Sequence, residues 1–174
     1  MIVLVEGCDL TGKTTLAHGF EEAFGLDYVH LGPPDTEALA HHLKFVDQWI
    51  AAERGIVMDR GHWSGLAYGA AGYNPGNELG DAGFELVDRV LSRLGAVTVH
   101  CWASEAQIAE RWDRGEDYLD AGKVGTILEW MNRAELRTML PVTRYNLSHD
   151  DPELVVNDVA RLAGERDRKR VGSR

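Results

Sequence analysis

Gly7-Cys8-Asp9-Leu10-Thr11-Gly12-Lys13-Thr14 satisfies every fixed position of the pattern G-x-x-x-x-G-K-[ST]. Each fixed residue has a physical task. The two glycines let the backbone curl so that successive N–H groups turn inward on phosphate oxygens. Lys13 adds a point charge beside the β- and γ-phosphates, and the Thr14 hydroxyl suits the shell of a Mg²⁺ ion. The pattern carries weight only between a strand and a helix, and the flanks supply both. Ile2–Glu6 is a short apolar run that reads as a buried strand and not as a leader peptide. Lys13–Phe24 is amphipathic and closes at Gly25, so a helix starts at the loop and adds its positive end to the anion site.

Outward from this loop, short apolar runs alternate with longer amphipathic stretches, as in a parallel sheet covered by helices. Further strands are expected at Asp27–His30, Gly55–Asp59, Val97–Trp102 and Val142–Leu147. Asp35 is expected to cap a helix carrying the stripe Leu39, Leu43, Val46 and Ile50. A loop rich in Gly, Asn and Pro spans Gly69–Gly80, before a helix with Phe84, Val87, Val90, Leu91 and Leu94 on one face. Ser104 and Gln107 form a capping box. Another helix is expected from about Leu119 to Thr138, and Asp151-Pro152-Glu153 opens the last one. The fold class is therefore α/β: a three-layer P-loop NTPase fold with a parallel sheet of about five strands. Residues 1–164 form one domain, and 165–174, with five basic and two acidic residues, form a tail expected to fray.

Composition narrows the function. The chain of 174 residues carries a net charge of -10, which disfavours broad binding to nucleic acid or anionic membrane. No apolar run approaches the ~20 residues of a membrane span. Cys8 and Cys101 lack metal-like spacing and read as free thiols in a reducing cytoplasm. Cys8 raises one further question, whether the helix dipole and Lys13 lower its pKa and make it reactive.

Gly55–Asp59 ends in Asp59-Arg60. An acid at the end of a strand beside the loop faces Mg²⁺ and the transferring phosphoryl group, so Asp59 joins Thr14 as a metal candidate and can also take a proton. Arg60 offers a planar, bidentate clamp for phosphate. The nine residues Gly7, Cys8, Asp9, Leu10, Thr11, Gly12, Lys13, Thr14 and Thr15 are expected to surround the phosphates of ATP. A guanine-reading Asn-Lys-x-Asp motif is absent.

Val5-Glu6-Gly7-Cys8-Asp9, with Gly12-Lys13-Thr14, resembles the opening of the thymidylate kinase-like family. Asp59-Arg60-Gly61-His62-Trp63-Ser64, with Ala67-Tyr68, is similar to the same family's Asp-Arg-Tyr segment. The resemblance implies that Arg60 holds an acceptor phosphate and that Asp9 approaches the acceptor sugar. It places His62, Ser64 and Tyr68 at the acceptor pocket. Deoxynucleoside kinases share a related layout, with an acid at the Asp59 position acting as base on the sugar hydroxyl. Glu110-Arg111-Trp112-Asp113-Arg114-Gly115-Glu116-Asp117 resembles the family's mobile lid, which makes Arg111 and Arg114 candidates for neutralising the transferring group. Many relatives resemble dimers, so a homodimer is among the expectations. One departure stands out. The span from Gly32 to Asp59 is shorter than this family uses, and His41, His42, Phe45 and Trp49 occupy the place of its base-reading helix.

The expected activity is ATP- and Mg²⁺-dependent phosphorylation of a (deoxy)nucleoside monophosphate, catalysed by Lys13, Asp59, Arg60, Arg111 and Arg114. A second reading moves the phosphoryl group to a hydroxyl of a nucleoside or of a modified base in DNA, the one place where nucleic acid enters. A third reading is a non-catalytic nucleotide-binding module.

Overall fold

The computed structural model describes residues 1–51, 54–112 and 120–172. Five strands form one parallel sheet in the order β2-β3-β1-β4-β5. They are β1 (Ile2–Gly7), β2 (Asp27–His30), β3 (Ile56–Asp59), β4 (Val97–Cys101) and β5 (Val142–Tyr145). Seven helices flank it among the described residues: α1 (Lys13–Phe24), α2 (Ala38–Ala51), α3 (His62–Ala70), α4 (Gly80–Leu94), α5 (Glu105–Trp112), α6 (Val124–Arg137) and α7 (Pro152–Gly172). None is long and apolar enough to cross a membrane.

The period-two geometry of a strand divides β1 between two layers. Val3 and Val5 pack with Val57, Val97 and Val99 against Leu16 and Phe20 of α1 and Val155 and Val159 of α7. Leu4 turns the other way, with Met58, toward Val87 and Leu91 of α4. Beyond the strand ends, Trp63 of α3, Phe84 of α4 and Ile127 and Met131 of α6 close a third cluster. The three inner strands β1, β3 and β4 are thus buried on both faces, which accounts for their continuous apolar runs, while the edge strands β2 and β5 keep Asp27, His30 and Arg144 exposed.

β1 lies between β3 and β4, paired in register Val5↔Asp59 and Gly7↔Cys101. The carboxyl ends of β1, β2 and β3 therefore deliver Gly7, His30 and Asp59 to one edge of the sheet. An open parallel sheet places its binding crevice at this edge.

Several expected boundaries move. α2 starts at Ala38, whose N–H is capped by the Asn77 side chain at 2.7 Å, while Asp35 bonds His41 instead. Ile50 leaves the expected buried stripe and is 65% exposed. β5 stops at Tyr145, α5 is described as far as Trp112, with its expected break near Gly115 outside the described residues, and a 3₁₀ turn at Ala121–Lys123 precedes α6. Residues expected to fray from 165 onward continue α7 to Gly172. The Ser104–Gln107 capping box is present, with both reciprocal bonds, at 2.9 and 3.2 Å.

Candidate active site

The loop between β1 and α1 has the curl its glycines imply. Gly7 has φ 153° and Gly12 φ 84°. At Gly7 a Cβ would stand 2.1 Å from the Cys101 carbonyl oxygen, so a side chain is excluded by β4 as well as by the backbone angle. Leu10 also adopts a left-handed conformation, φ 65°, and such strain is held by the structure around it. The Cys8 carbonyl anchors the loop from within, accepting from Thr11 Oγ1 at 2.7 Å and Lys13 Nζ at 2.6 Å.

Lys13 is buried, with its Nζ 3.7 Å from Asp9 Oδ1. Burial, helped by Arg60 nearby, pushes its ammonium below the ordinary lysine value against the pull of Asp9 and Asp59. Burial works to raise the Asp9 carboxyl, but Arg60 and Lys13 hold it below the usual carboxylate range. Asp9 also makes an ion pair with Arg60 Nη2, and its N–H donates to Tyr68 Oη at 3.2 Å. Arg60 has φ 75°, and its guanidinium lies 4.8 Å from the centre of the Tyr68 ring. Burial pushes the Tyr68 phenol up, which keeps it a neutral hydroxyl.

Asp59 is fully buried. Its Oδ2 accepts from Thr14 Oγ1 at 2.5 Å and Tyr28 Oη at 3.2 Å, with His30 Nδ1 3.4 Å away. Its Oδ1 is buried with no hydrogen-bond partner among the described residues. An orphaned carboxylate oxygen beside a threonine hydroxyl fits a Mg²⁺ site, because this ion takes one or two protein groups and completes its shell with water and phosphate. No cluster of three His, Cys, Asp or Glu side chains forms a metal cage among the described residues, and such a shell needs none.

Two cavities meet here. The smaller, about 200 Å³, is lined by Gly12, Lys13, Thr14, Thr15 and Asp59. The larger, about 580 Å³, lies between Leu31–Pro34 on one side and Ser64, Tyr68 and Tyr73 on another. Asp9, Leu10, His30 and Arg60 line both. A volume of this size suits a nucleoside-sized ligand. Arg111 reaches the same loop from α5, donating from Nη1 to the Leu10 carbonyl at 2.8 Å and from Nη2 to Ser148 Oγ at 2.5 Å. Arg114 lies outside the described residues, as does the side chain of Trp49.

One sequence expectation changes, and the question raised at Cys8 is answered. His62 is buried behind α3 and does not line the acceptor cavity. Its Nε2 lies 3.0 Å from Asp88 Oδ1, and its ring packs 5.0 Å from Phe84. Cys8 does not carry a lowered thiol. Burial pushes it up to about 11 despite Lys13, and Cys101 up to about 12. These rises cut the thiolate fraction at pH 8 about 100-fold for Cys8 and about 1,000-fold for Cys101. Alkylation followed by mass spectrometry is therefore expected to label both cysteines far more slowly in the native chain than in denaturant. Equal rates in the two states would contradict the assignment.

Sequence reasoning missed Glu6 as a working residue. Its fully buried carboxylate accepts from the N–H groups of Trp63 and Ser64, at 2.9 and 3.1 Å, and from Ser64 Oγ at 2.7 Å. The N-terminus of α3 is thus capped by β1, where an acid complements the helix dipole. Gly61 permits the approach, since a Cβ there would lie 2.7 Å from Glu6 Oε1. The signal in the sequence was a lone charge directly after the apolar run Ile2–Val5 and before Gly7. Ser64 lines the large cavity, with its hydroxyl committed to Glu6.

The fold is that of P-loop kinases. The YorR protein of Bacillus subtilis, solved in complex with phosphorylated GDP, matches with a TM-score of 0.75 and 17% identity over 97% of this chain and 98% of that one. Deoxyadenosine kinase from M. mycoides, solved with dCMP and dCDP, matches with a TM-score of 0.62 and 14% identity over 92% and 99%. Thymidylate kinase from Candida albicans gives 0.55 and 15% over 95% and 92%. No protein-family model matches the sequence, and comparison with curated proteins finds no match.

Proposed function

We propose that this protein transfers the γ-phosphoryl group of ATP, with Mg²⁺, to a nucleoside or nucleoside monophosphate held in the larger cavity. The observation that carries this reading is the junction: Asp9, Leu10, His30 and Arg60 border both cavities. A donor on the loop and an acceptor in the 580 Å³ space meet there without crossing bulk water.

The residues divide the work. The N–H groups from Gly7 to Thr14 and the α1 N-terminus hold phosphate oxygens, and Lys13 brings a desolvated charge to the same place. Thr14 and Asp59 hold Mg²⁺, which when bound neutralises charge on the phosphates. Arg111, already on the Leu10 carbonyl, covers the loop from the other side. Asp9 and Tyr68 fix Arg60 at the junction, where a positioned guanidinium spares the entropy of ordering it.

Two acceptor chemistries fit. The monophosphate reading is supported by Arg60, a fork suited to a phosphate dianion. The hydroxyl reading is supported by the pairing of Arg60 with Asp9, which already occupies part of that fork, and by the buried Asp59 carboxylate with His30 at the junction. Arg60→Ala separates them. Under the monophosphate reading, kcat/KM falls about 100-fold or more on monophosphates and only a few-fold on neutral nucleosides. Equal losses on both would assign Arg60 to the loop, through Asp9, and remove its role as acceptor clamp.

A further inference from the structure

Helix α2 brings His42 to the inner wall of the larger cavity. The residue is 4% exposed, and both ring nitrogens meet backbone carbonyls. Nδ1 lies 2.8 Å from the Ala38 oxygen and Nε2 lies 3.3 Å from the Gly61 oxygen. A carbonyl only accepts, so each contact asks the ring for a proton. Burial pushes this imidazole down to about 4, and at neutral pH the ring therefore has one proton to give. The shorter contact, to Ala38 one turn back along α2, takes it. Nε2 is then a bare acceptor beside a second acceptor, the Gly61 carbonyl, in a buried wall. Two adjacent buried acceptors without a donor are costly, and the group that matches them carries two hydrogens.

We propose that His42 Nε2 and the Gly61 carbonyl together receive an amino group of the acceptor. The cavity then selects a nucleobase with an amino edge, of the adenine or cytosine kind, over one with a keto oxygen there, of the thymine or hypoxanthine kind. The inference rests on the reading that this cavity takes a nucleoside-type acceptor. Gly65 supports it from α3. A Cβ at that position would come within 2.8 Å of both Cε1 and Nε2 of His42, so the close approach of α3 to this edge of the ring leaves no place for a side chain that would cover Nε2. Tyr68 and Tyr73, with ring centres 5.4 Å apart, add aromatic wall to the same cavity. A planar base finds apolar surface there, with its polar edge at His42. A keto oxygen at this point would face two acceptors with no proton among the three.

The test uses the full chain and two matched pairs, deoxycytidine with deoxyuridine and deoxyadenosine with deoxyinosine, as nucleosides and as monophosphates. Equilibrium binding and phosphoryl transfer are both measured. The amino member of each pair is expected to bind about 10- to 100-fold tighter, the range of a good paired base contact. His42→Leu should bring each pair within about threefold, and Gly65→Ala should narrow the ratio as well. A second measurement needs no variant. The ¹⁵N resonance of His42 Nε2 should be that of an unprotonated nitrogen and should move on addition of deoxycytidine and not of deoxyuridine. Equal binding within the pairs, a protonated Nε2, or binding to neither member would overturn the proposal. Preference in binding without phosphoryl transfer would uphold it and overturn the kinase reading. Transfer without preference would do the reverse.

Discussion

Lys13→Ala is expected to abolish phosphoryl transfer and to leave the protein folded. Lys13 is 5% exposed and reaches the Cys8 carbonyl at 2.6 Å, so its charge sits inside the loop proposed to hold the phosphates. A charge already stripped of water acts at low dielectric, where one donor to a developing negative charge is worth a large factor in rate. The expected loss in kcat/KM is at least about 1,000-fold. Stability responds differently. Burying an ammonium carries a desolvation cost, and Asp9 keeps Arg60 as its partner when the lysine is gone. The thermal midpoint should therefore hold or rise. A variant that retains wild-type turnover would remove Lys13 from the mechanism, and a collapse in midpoint would make the residue structural.

Asp59→Asn is expected to lower kcat by about 100- to 1,000-fold and to weaken the response to Mg²⁺. The carboxylate is fully buried, accepts from Thr14 and Tyr28 on Oδ2 with His30 Nδ1 3.4 Å away, and keeps Oδ1 without a partner among the described residues. An amide of the same shape retains an acceptor but loses the charge that attracts a divalent ion and orders its water. Titrating Mg²⁺ at saturating ATP reads this directly. The half-saturating Mg²⁺ concentration should rise in the variant, while ATP binding measured without Mg²⁺ stays near wild type. An unchanged Mg²⁺ dependence would mean that Asp59 serves only as an anchor for the loop and β2.

The donor half of the site was legible in the sequence because its chemistry is local. Glycine, lysine and threonine at fixed spacing, entered from an apolar strand, leave little freedom, and Lys13–Phe24 formed as expected. The parallel sheet, though not its strand order, followed from alternating strands and helices, and Asp59 arrived beside Val5 as a strand-end acid should. The acceptor half depends on contacts between distant residues. α3 begins where Glu6 meets Trp63 and Ser64, and α2 begins where Asn77 meets Ala38. No periodicity announces either cap. His62 follows Gly61 and reads as a pocket residue, but the first turn of α3 points it at Asp88 and Phe84. His42 was visible only as one of several residues in a shortened segment. Its place against Gly61 and Gly65 comes from packing α2 on α3, which one-dimensional spacing does not encode.

The most direct test follows the label of [γ-³²P]ATP in the presence of Mg²⁺ with a panel of nucleosides and their monophosphates, wild type beside Lys13→Ala. The account predicts label on a nucleoside-type product with the wild-type chain and none with the variant. Label that stays on ATP despite tight nucleotide binding, or that appears only as inorganic phosphate, would contradict phosphoryl transfer and leave a nucleotide-binding module or a hydrolase in its place.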